Sequence, residues 1–317
     1  MTTRPYRHSH SIPAEILALS HERDILRRRG QYARADLLKR QIEDAGYVVK
    51  DNPHGAHLVI LPSIEVDGRV YRTARQLPSL VDEADLHTFS VIILAHNTFE
   101  QTRRCVTSVL HYAGNTDLEI MLIDNASQDG LDQWAETLRH EEPRLHLLRT
   151  SRSMGIAEAY NAGLKQSRGR YILLLDTTLE VTGDIFSPLA QTLSDRSVGT
   201  TGLHGLRTDD LRHFSESQEH EVEAIDYRCM AFRRHWLRRA GLLDERYRFP
   251  RFMDIDFNFA LLDQGAHNLV TPHLPIIQHT DSGDAGLSDA ERTRLTKRNF
   301  YRFLEKWGGR EDLLIDA

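Results

Sequence analysis

The sequence predicts an α/β protein with a mostly parallel sheet between helices, preceded by a small helical module. Three apolar runs rich in strand-forming residues support the sheet, and they cover residues 89–95, 118–123 and 171–175. Helical patterns separate these runs, which is typical of strands that are buried on both faces and joined by crossover helices. A polar residue closely follows each run: Asn97, Asp124 and Asp176. Since ligands bind outside the carboxyl ends of such strands, these residues predict a binding site, although either aspartate could instead only cap a turn.

Composition and charge exclude several classes of protein. The chain has 317 residues, enough for one large domain or two, and its net charge of −6 argues against a general polyanion binder. Two cysteines, Cys105 and Cys229, do not make a disulfide framework. No segment approaches the ~20 apolar residues of a membrane span, and the first residues lack the apolar run of a signal peptide. We therefore expect a cytoplasmic protein. Neither a nicotinamide-binding nor a P-loop glycine motif occurs.

Residues 1–85 predict the small module. Apolar residues at helical spacing begin at Ile12, Gly30 interrupts them and Gly46 ends them, so we expect a helical hairpin. Its apolar faces comprise Ile16, Leu17, Leu19, Ile25 and Leu26, then Ala33, Leu37, Leu38, Ile42 and Ala45. Residues 64–71 predict a β-hairpin that turns at Asp67-Gly68. The polar stretch 73–87 predicts a linker, and residues 1–11 and 280–286 are expected to be flexible.

Residues 86–317 predict the larger domain, with halves at 86–180 and 181–317. After the first strand, Asn97 is expected to cap a helix, because an asparagine oxygen can accept from helix-start N–H groups. The polar, acidic stretch 208–223 is long for a connection and predicts a mobile surface loop. The other elements expected, in order, are a strand at 145–148, a helix carrying Asn161, a helix at 184–195, strands at 198–203 and 227–232, a helix at 234–240, a helix after Met253, a strand at 274–279 and a last helix opened by the capping box Ser288–Glu291.

An ordered set of motifs over roughly residues 87–280 resembles the family 2 glycosyltransferases, which have the GT-A fold. In the first half these motifs are 89–97, Ile123-Asp-Asn-Ala-Ser-Gln-Asp-Gly130, Gly155 followed by Asn161, and Leu173-Leu-Leu-Asp176. In the second half they are Gly241-Leu-Leu-Asp-Glu245, Met253-Asp-Ile-Asp256 with Gly265, and His279. The resemblance implies a hexosyltransferase-like enzyme that moves a sugar from a nucleoside diphosphate sugar to an acceptor hydroxyl, with inversion. The acceptor itself is not implied.

The resemblance also implies roles for individual residues. Asp254 corresponds to the aspartate of the family's Glu-Asp motif and would be the general base, with Met253 in place of the glutamate. An apolar neighbour removes repulsion but adds desolvation, so the sequence leaves the direction of any pKa change open. Asp124 would accept from the imide N–H of a pyrimidine base. The donor-binding residues implied are Ala95, Asn97, Asp124, Asn125, Gly155, Asn161 and Asp176.

The expected metal motif departs from the family pattern. The family has Asp-x-Asp where this chain has Asp176-Thr-Thr178, so one carboxylate becomes a neutral hydroxyl. Asp176 and His279 would hold Mn²⁺ or Mg²⁺ with water and diphosphate oxygens, or the metal is weakly bound, or it is absent. Glu180 is near enough in sequence to compensate, but strand alternation leaves its direction open.

Two alternatives remain open. The family usually has Asn where this chain has Ser153 and a basic residue where it has Tyr160. The departures at Ser153, Thr178 and Met253 favour a catalytically impaired nucleotide-sugar-binding protein. The amino-terminal module resembles the small helical module at the carboxyl end of cysteinyl-tRNA synthetases, through Glu22-Arg-Asp-Ile-Leu, Ala33-Arg-Ala-Asp-Leu-Leu-Lys-Arg40, Ala45-Gly46 and Asp51-Asn-Pro-His-Gly55. The basic residues of this module are Arg27, Arg28, Arg29, Lys39 and Arg40. They form either a solvated face or an RNA contact, and an RNA contact would make the protein an RNA-associated adaptor.

Overall fold

The computed structural model describes residues 12–52, 55–280 and 288–315. The chain forms two compact units, one of Met1–Ile64 with Val70–Gln76 and one of Glu65–Arg69 with Leu77–Ala317. The predictions of flexibility for residues 1–11 and 281–286 lie outside the described residues, as do positions 53 and 54 of the synthetase-like motif. No helix in the described ranges is both long and apolar enough to cross a membrane.

The first unit contains the predicted helical hairpin, followed by an antiparallel pair of strands that was not predicted. Its elements are α1 (Ala14–Arg28), α2 (Tyr32–Asp44), β1 (Tyr47–Asn52) and β2 (Gly55–Ile60). Gly30 and Gly46 follow the two helices with φ of 72° and 89°, a left-handed conformation that glycine adopts without strain.

The apolar faces of the hairpin are partly wrong in the sequence prediction. Leu17 and Leu37 are 51% and 58% exposed, whereas Ile16 and Ile42 are buried together in the core of this unit. On α1, Arg23 occupies part of the buried face beside Ile16 and Leu26. Its guanidinium donates to both carboxylate oxygens of Asp51, at 2.8 and 3.0 Å.

Two short strands, β3 (Ile64–Val66) and β4 (Arg69–Tyr71), flank the predicted turn. Asp67 and Gly68 have φ of 46° and 86°, as a two-residue hairpin turn requires. In the second unit the Asp67 carboxylate accepts from the backbone N–H of Leu147 at 3.0 Å and contacts Nδ1 of His146 at 2.9 Å.

Strands and helices alternate as predicted over residues 87–175, and further short strands that were not predicted follow in the second half. The remaining elements are β5 (His87–Ala95), α3 (Phe99–Tyr112), β6 (Leu118–Asp124), α4 (Leu131–Glu141), β7 (Leu145–Thr150), α5 (Ile156–Gln166), β8 (Gly169–Leu175), β9 (Leu179–Val181), α6 (Phe186–Thr192), β10 (Val198–Gly202), β11 (Gly205–Arg207), β12 (Ser215–Ser217), β13 (Glu221–Val222), β14 (Ala224–Ile225), β15 (Cys229–Arg233), α7 (Trp236–Arg239), α8 (Met253–Leu262), β16 (His267–Val270), β17 (Ile276–Gln278) and α9 (Asp289–Trp307).

The central sheet confirms the α/β prediction. Its strands run in the order β13-β16-β10-β15-β8-β5-β6-β7, and the neighbours among β8, β5, β6 and β7 are parallel. The antiparallel strand β15 pairs with β8 and joins the two halves of the domain. All seven residues of β6 are buried, which explains why the sequence shows a continuous apolar run rather than an alternating one. Helices α3 and α4 pack against one face of this parallel part, and α5 packs against the other, with Gly163 on Ile92 and Ile123.

Three local predictions are corrected. The stretch 208–223, predicted as a mobile surface loop, contains the short strands β12 and β13, and buried Glu223 accepts from the N–H groups of Thr208 and Ile315. It is therefore not loop throughout, and its mobility stays a prediction. Asn97 does not cap α3, which begins one residue later than an Asn97 cap would allow. The N–H of Phe99 instead donates to Asp129 at 2.7 Å, since the 129 loop lies beside this helix start.

The third correction concerns the linker. Residues 77–85 pack on the second unit, where Leu77 and Val81 are buried. Arg234, with 1% of its side chain exposed, donates to the carbonyl oxygens of Leu80 and Glu83 and to the carboxylate of Asp85. This segment therefore completes the larger domain, and the physical boundary lies before residue 77 rather than after residue 85.

Candidate active site

The three polar residues that follow the apolar runs do share one edge of the sheet. In the register of the parallel strands, Ala95 lies opposite Asp124, and Ile92 lies opposite Leu174. Asp176 follows β8 directly, and its N–H donates to the carbonyl oxygen of Arg228 at the start of β15. The carboxyl ends of β5, β6 and β8 therefore meet, as ligand-binding α/β sheets require.

Asp124 holds the turn after its strand, and one of its carboxylate oxygens is left over by the described residues. Its Oδ1 accepts from the N–H of Ser127 at 2.8 Å, so the carboxylate does hold the turn after β6. Asn97 supports the same turn, because its Oδ1 accepts from the N–H of Gln128 at 2.8 Å. Oδ2 of Asp124 accepts no hydrogen bond from the described residues. A carboxylate fixed through one oxygen can therefore still offer the other to a ligand.

Asn125 and Gly155 shape the segment after β7. Oδ1 of buried Asn125 accepts from the N–H of Met154 at 2.7 Å, and its Nδ2 donates to the carbonyl of the same residue at 3.1 Å. A Cβ on Gly155 would lie 3.2 Å from the Cα of Arg248, so a side chain there would require Arg248 to move by a few tenths of an ångström. These contacts fix the segment, and a nucleotide contact by either residue stays a prediction.

Asn161 joins the two halves of the larger domain. Its Nδ2 donates to the carbonyl of Leu243 at 2.9 Å, and its Oδ1 accepts from the N–H of the same residue at 3.0 Å. The side chain is buried, with both ends of its amide used by the Gly241–Glu245 motif. The structure thus gives Asn161 a positioning contact that the sequence did not predict.

Thr178 links the two predicted metal ligands. Oδ1 of Asp176 accepts from the N–H and the hydroxyl of Thr178, at 2.9 and 2.5 Å. The carbonyl of Thr178 accepts from the N–H of His279 at 2.9 Å, where β17 pairs with β9. Nε2 of His279 lies 2.6 Å from Oε2 of Glu180, which settles the direction of Glu180 that strand alternation left open.

The residues present fit a divalent cation only as a partial ligand set. In the described ranges, no three His, Cys, Asp or Glu side chains form a group that could hold a metal. Asp176 and His279 offer a carboxylate and an imidazole at neighbouring positions, and Mg²⁺ or Mn²⁺ commonly takes its other oxygens from a bound diphosphate and from water. The affinity of this site for a cation would therefore depend on a bound diphosphate.

Asp254 lies in the first turn of α8, buried from solvent. Its Oδ2 accepts from the N–H of Tyr227 at 3.2 Å and its Oδ1 from the N–H of Ile255 at 3.0 Å. Burial, and next the charge of Asp226, raise the pKa of Asp254 to about 7. Desolvation thus decides the direction that the sequence left open, and it makes Asp254 able to exchange a proton near neutral pH.

Asp226 is a site residue that the sequence analysis missed. It accepts two hydrogen bonds from Arg228, at Nε (2.8 Å) and at a terminal nitrogen (3.0 Å). The only local signal is the Asp-x-Arg spacing, which does not reveal that β15 begins beside α8. The rings of buried Tyr160 and half-buried Tyr227 lie 6.4 Å apart, and desolvation followed by the charge of Asp176 raises the pKa of both.

Asp254 lines an open cleft of about 1080 Å³. The walls come from residues 212–216, from residues 226–228, from the segment 249–255 and from the first half of α9. Arg251 and Phe252, which precede α8, have φ of 120° and 68°. Such backbone strain persists where neighbouring structure holds it, and it is frequent at functional sites.

The fold and site define an α/β domain of the GT-A type, with polar residues at the carboxyl ends of parallel strands and a buried carboxylate facing a cleft. The chain belongs to the family described as "Glycosyl transferase family 2", whose pattern matches residues 90–269. The succinoglycan biosynthesis protein ExoO of Rhizobium meliloti is 27% identical over 145 residues, which are 44% of this chain and 40% of ExoO. The chain thus spans less than half of that relative.

Two solved structures share the fold. GalNAc-T7 with UDP, GalNAc and Mn²⁺ has a TM-score of 0.60 at 19% identity, over 73% of this chain and 50% of that chain. The mannosyltransferase PcManGT of Pyrobaculum calidifontis, in complex with GDP-Man and Mn²⁺, has a TM-score of 0.55 at 17% identity. That match covers 72% of this chain and 66% of PcManGT.

Proposed function

We propose that this protein transfers a sugar from a nucleoside diphosphate sugar to an acceptor hydroxyl, with inversion at the anomeric carbon. The observation that supports this most is Asp254, a buried carboxylate on the cleft whose pKa is raised to about 7. It stands at the position that the resemblance assigned to the general base. A base is most effective when its pKa is close to the working pH.

In the proposed reaction, Asp254 takes the proton of the acceptor hydroxyl as the oxygen attacks the anomeric carbon. A new carbon–oxygen bond forms on one face of the sugar while the bond to the diphosphate breaks on the other. The N–H of Tyr227 holds Oδ2 of Asp254 in place, so the base does not need to reorient during the reaction. Base catalysis of this kind contributes on the order of 10² to 10⁴ in rate.

The donor is expected at the edge formed by β5, β6 and β8. Asp124 would accept from the base through Oδ2, beside Ala95 and Asn97, while Asn125, Gly155 and Asn161 would shape the pocket. The nucleotides in the complexes of GalNAc-T7 and PcManGT support a nucleoside diphosphate and leave its base open. Asp176 and His279 would hold Mn²⁺ or Mg²⁺, and a bound cation would neutralise charge on the leaving diphosphate.

The test is Asp254→Asn, which keeps the shape of the side chain and removes its basicity. We expect turnover to fall by about 10² to 10⁴, while the affinity for UDP or GDP changes little. Turnover is followed by release of the nucleoside diphosphate and affinity by calorimetry. Asp263→Asn, which removes the same charge just after α8 ends, is the matched control. Equal loss of affinity and turnover in folded Asp254→Asn would place Asp254 in the binding site instead.

A second candidate is a nucleotide-sugar-binding protein without turnover. The contacts of Thr178 with Asp176 and of Glu180 with His279 favour it, because both predicted metal ligands already have protein partners. Tight nucleoside diphosphate binding with neither transfer nor donor hydrolysis would support this candidate. The RNA-adaptor hypothesis for the first unit stays a prediction. It requires salt-dependent tRNA binding that a chain starting at residue 77 loses.

A further inference from the structure

The cleft beside Asp254 is lined by more cations than its own carboxylates can neutralise. Arg228 is paired with Asp226 and with Glu216, at 2.8 and 3.3 Å. Arg292, also on the cleft, lies 3.7 Å from Asp289. Three further cations line the cleft and have no carboxylate within ion-pair distance among the described residues: Arg212, Arg251 and Lys297. This wall is cationic although the chain as a whole carries a net charge of −6.

These cations come from elements other than the strands of the predicted donor edge, although the cleft adjoins that edge at Arg228, whose carbonyl accepts from the N–H of Asp176. Arg212 comes just before β12, Arg251 precedes α8, and Lys297 lies on α9. By contrast, neither Asp124 nor Asp176 is among the described residues that line the cleft. This favours a role for the cationic wall in binding the acceptor rather than the nucleotide of the donor.

Apolar surface accompanies the cations. The half-buried rings of Phe214, Phe252 and Phe300 line the same cleft and pack against one another, with Phe252 5.7 Å from Phe300 and 6.1 Å from Phe214. Flat rings give a sugar ring an apolar surface, while charged groups around them fix its orientation.

The backbone that presents Arg251 and Phe252 is held in place from outside the cleft. Nδ2 of Asn299, which is buried on α9, donates to the carbonyl oxygens of Phe249 and Arg251 at 3.0 and 3.1 Å. Both Arg251 and Phe252 have positive φ in the segment that these two hydrogen bonds hold. Holding two large side chains in a strained conformation at the cleft is what a preformed binding wall requires.

From these observations we infer that the acceptor is a sugar that carries a negatively charged group, which Arg212, Arg251 and Lys297 receive while Asp254 faces the reacting hydroxyl. This inference deepens the proposed function and rests on it. The shared chemistry is an anionic oxygen, which either a uronic acid carboxylate or a sugar phosphate supplies.

The test compares three probes that share a glucose-like ring: methyl β-glucuronide, glucose 1-phosphate and methyl β-glucoside. Dissociation constants are measured by ligand-observed NMR at low salt. We expect at least one charged probe to bind about tenfold more tightly than the neutral one, since each exposed ion pair contributes modestly. The charged probe that binds more tightly identifies the anion as carboxylate or phosphate. High salt should reduce the preference.

The variants are the double replacement Arg212→Ala with Lys297→Ala, and Arg298→Ala as the matched control. Arg298 is exposed, adjacent in sequence to Lys297, and not part of the cleft lining. The double variant should lose most of the preference and the control should keep it. Equal binding of all three probes to the wild type, or a preference that survives the double variant, would overturn the inference.

Titration with UDP and GDP separates this inference from the proposed function. If the double variant loses nucleoside diphosphate affinity, the cations serve the donor and the inference is wrong. If the wild type binds neither nucleotide, the proposed function fails, whereas the probe preference is still measured on its own.

Discussion

Asp226 raises the pKa of Asp254 while it accepts two hydrogen bonds from Arg228. The base thus faces a carboxylate whose charge is partly balanced by a neighbouring guanidinium. Asp226 and Arg228 can each be replaced without changing Asp254. The two replacements should shift the pKa of Asp254 in opposite directions.

Asp226→Asn should lower the pKa of Asp254, because it removes the like charge that opposes ionisation. The acidic limb of the pH–kcat profile should then move below the limb of the wild type, which is expected near pH 7. Arg228→Ala should move the limb to higher pH, because the charge of Asp226 is no longer balanced. Shifts in the same direction, or no shift, would show that Asp226 does not tune the base.

Asp254 should also set part of the pH dependence of stability. An unfolded aspartate has a pKa of about 3.9, whereas in the folded chain the pKa of Asp254 is about 7. Between these values the folded chain binds the extra proton, so this group makes stability fall as pH rises through that window. Between pH 4 and pH 8 the wild type should therefore lose on the order of 2–4 kcal/mol more stability than Asp254→Asn, whose amide does not ionise. Thermal melts of both proteins at pH 8 and near pH 4 would check this, and an equal change in the two would contradict it.

The missing metal carboxylate predicts that metal and donor depend on each other. The protein supplies at most Asp176 and His279, so diphosphate oxygens should complete the site. Calorimetric titration of Mn²⁺ should show weak binding alone and tighter binding with UDP or GDP, with the reciprocal effect on the nucleotide. Thr178→Asp should tighten Mn²⁺ binding without nucleotide, and His279→Ala should weaken the ternary complex. Nucleotide affinity that is identical in EDTA and in Mn²⁺ would rule out the metal role.

The boundary between the units predicts which truncation folds. A chain that starts at Leu77 keeps the acceptors of Arg234, whereas one that starts at Leu86 loses Leu80, Glu83 and Asp85. Leaving a buried guanidinium without these partners should cost on the order of 2–5 kcal/mol. Circular dichroism melts of both truncated chains would test this. A chain from Leu86 that is as stable as one from Leu77 would show that the segment is dispensable.

Asn299 should act as a positioning residue for the helix that carries Asp254. Asn299→Asp would set a carboxylate against two carbonyl oxygens, so the strained segment before α8 should relax. We expect a lower kcat with unchanged nucleotide affinity, beyond any loss of about 1–3 kcal/mol in stability. A merely structural role would lower the melting temperature and leave the kcat of the folded protein intact. Arg298→Ala provides the control on the same helix.

The sequence by itself determined the parallel strands, several helix ends and the edge at which the site forms. The apolar runs of β5, β6 and β8 and the polar residues after them are local patterns. Parallel pairing must bring the ends of such strands together. The helix stops at Gly30 and Gly46 and the capping box of Ser288 with Glu291 are equally local, and the structure contains each.

Only the tertiary structure decided which side chains meet. Asn161 bonds to Leu243, Glu180 to His279 and Arg234 to the segment before β5, with partners between 82 and 154 residues apart in the chain. Antiparallel pairing of β15 with β8 carries Asp226 toward Asp254, and burial then raises the pKa of the base. The spacing of apolar residues in the sequence does not predict such contacts, because they depend on strand order and register. Desolvation likewise depends on everything that packs around a group rather than on its neighbours in sequence.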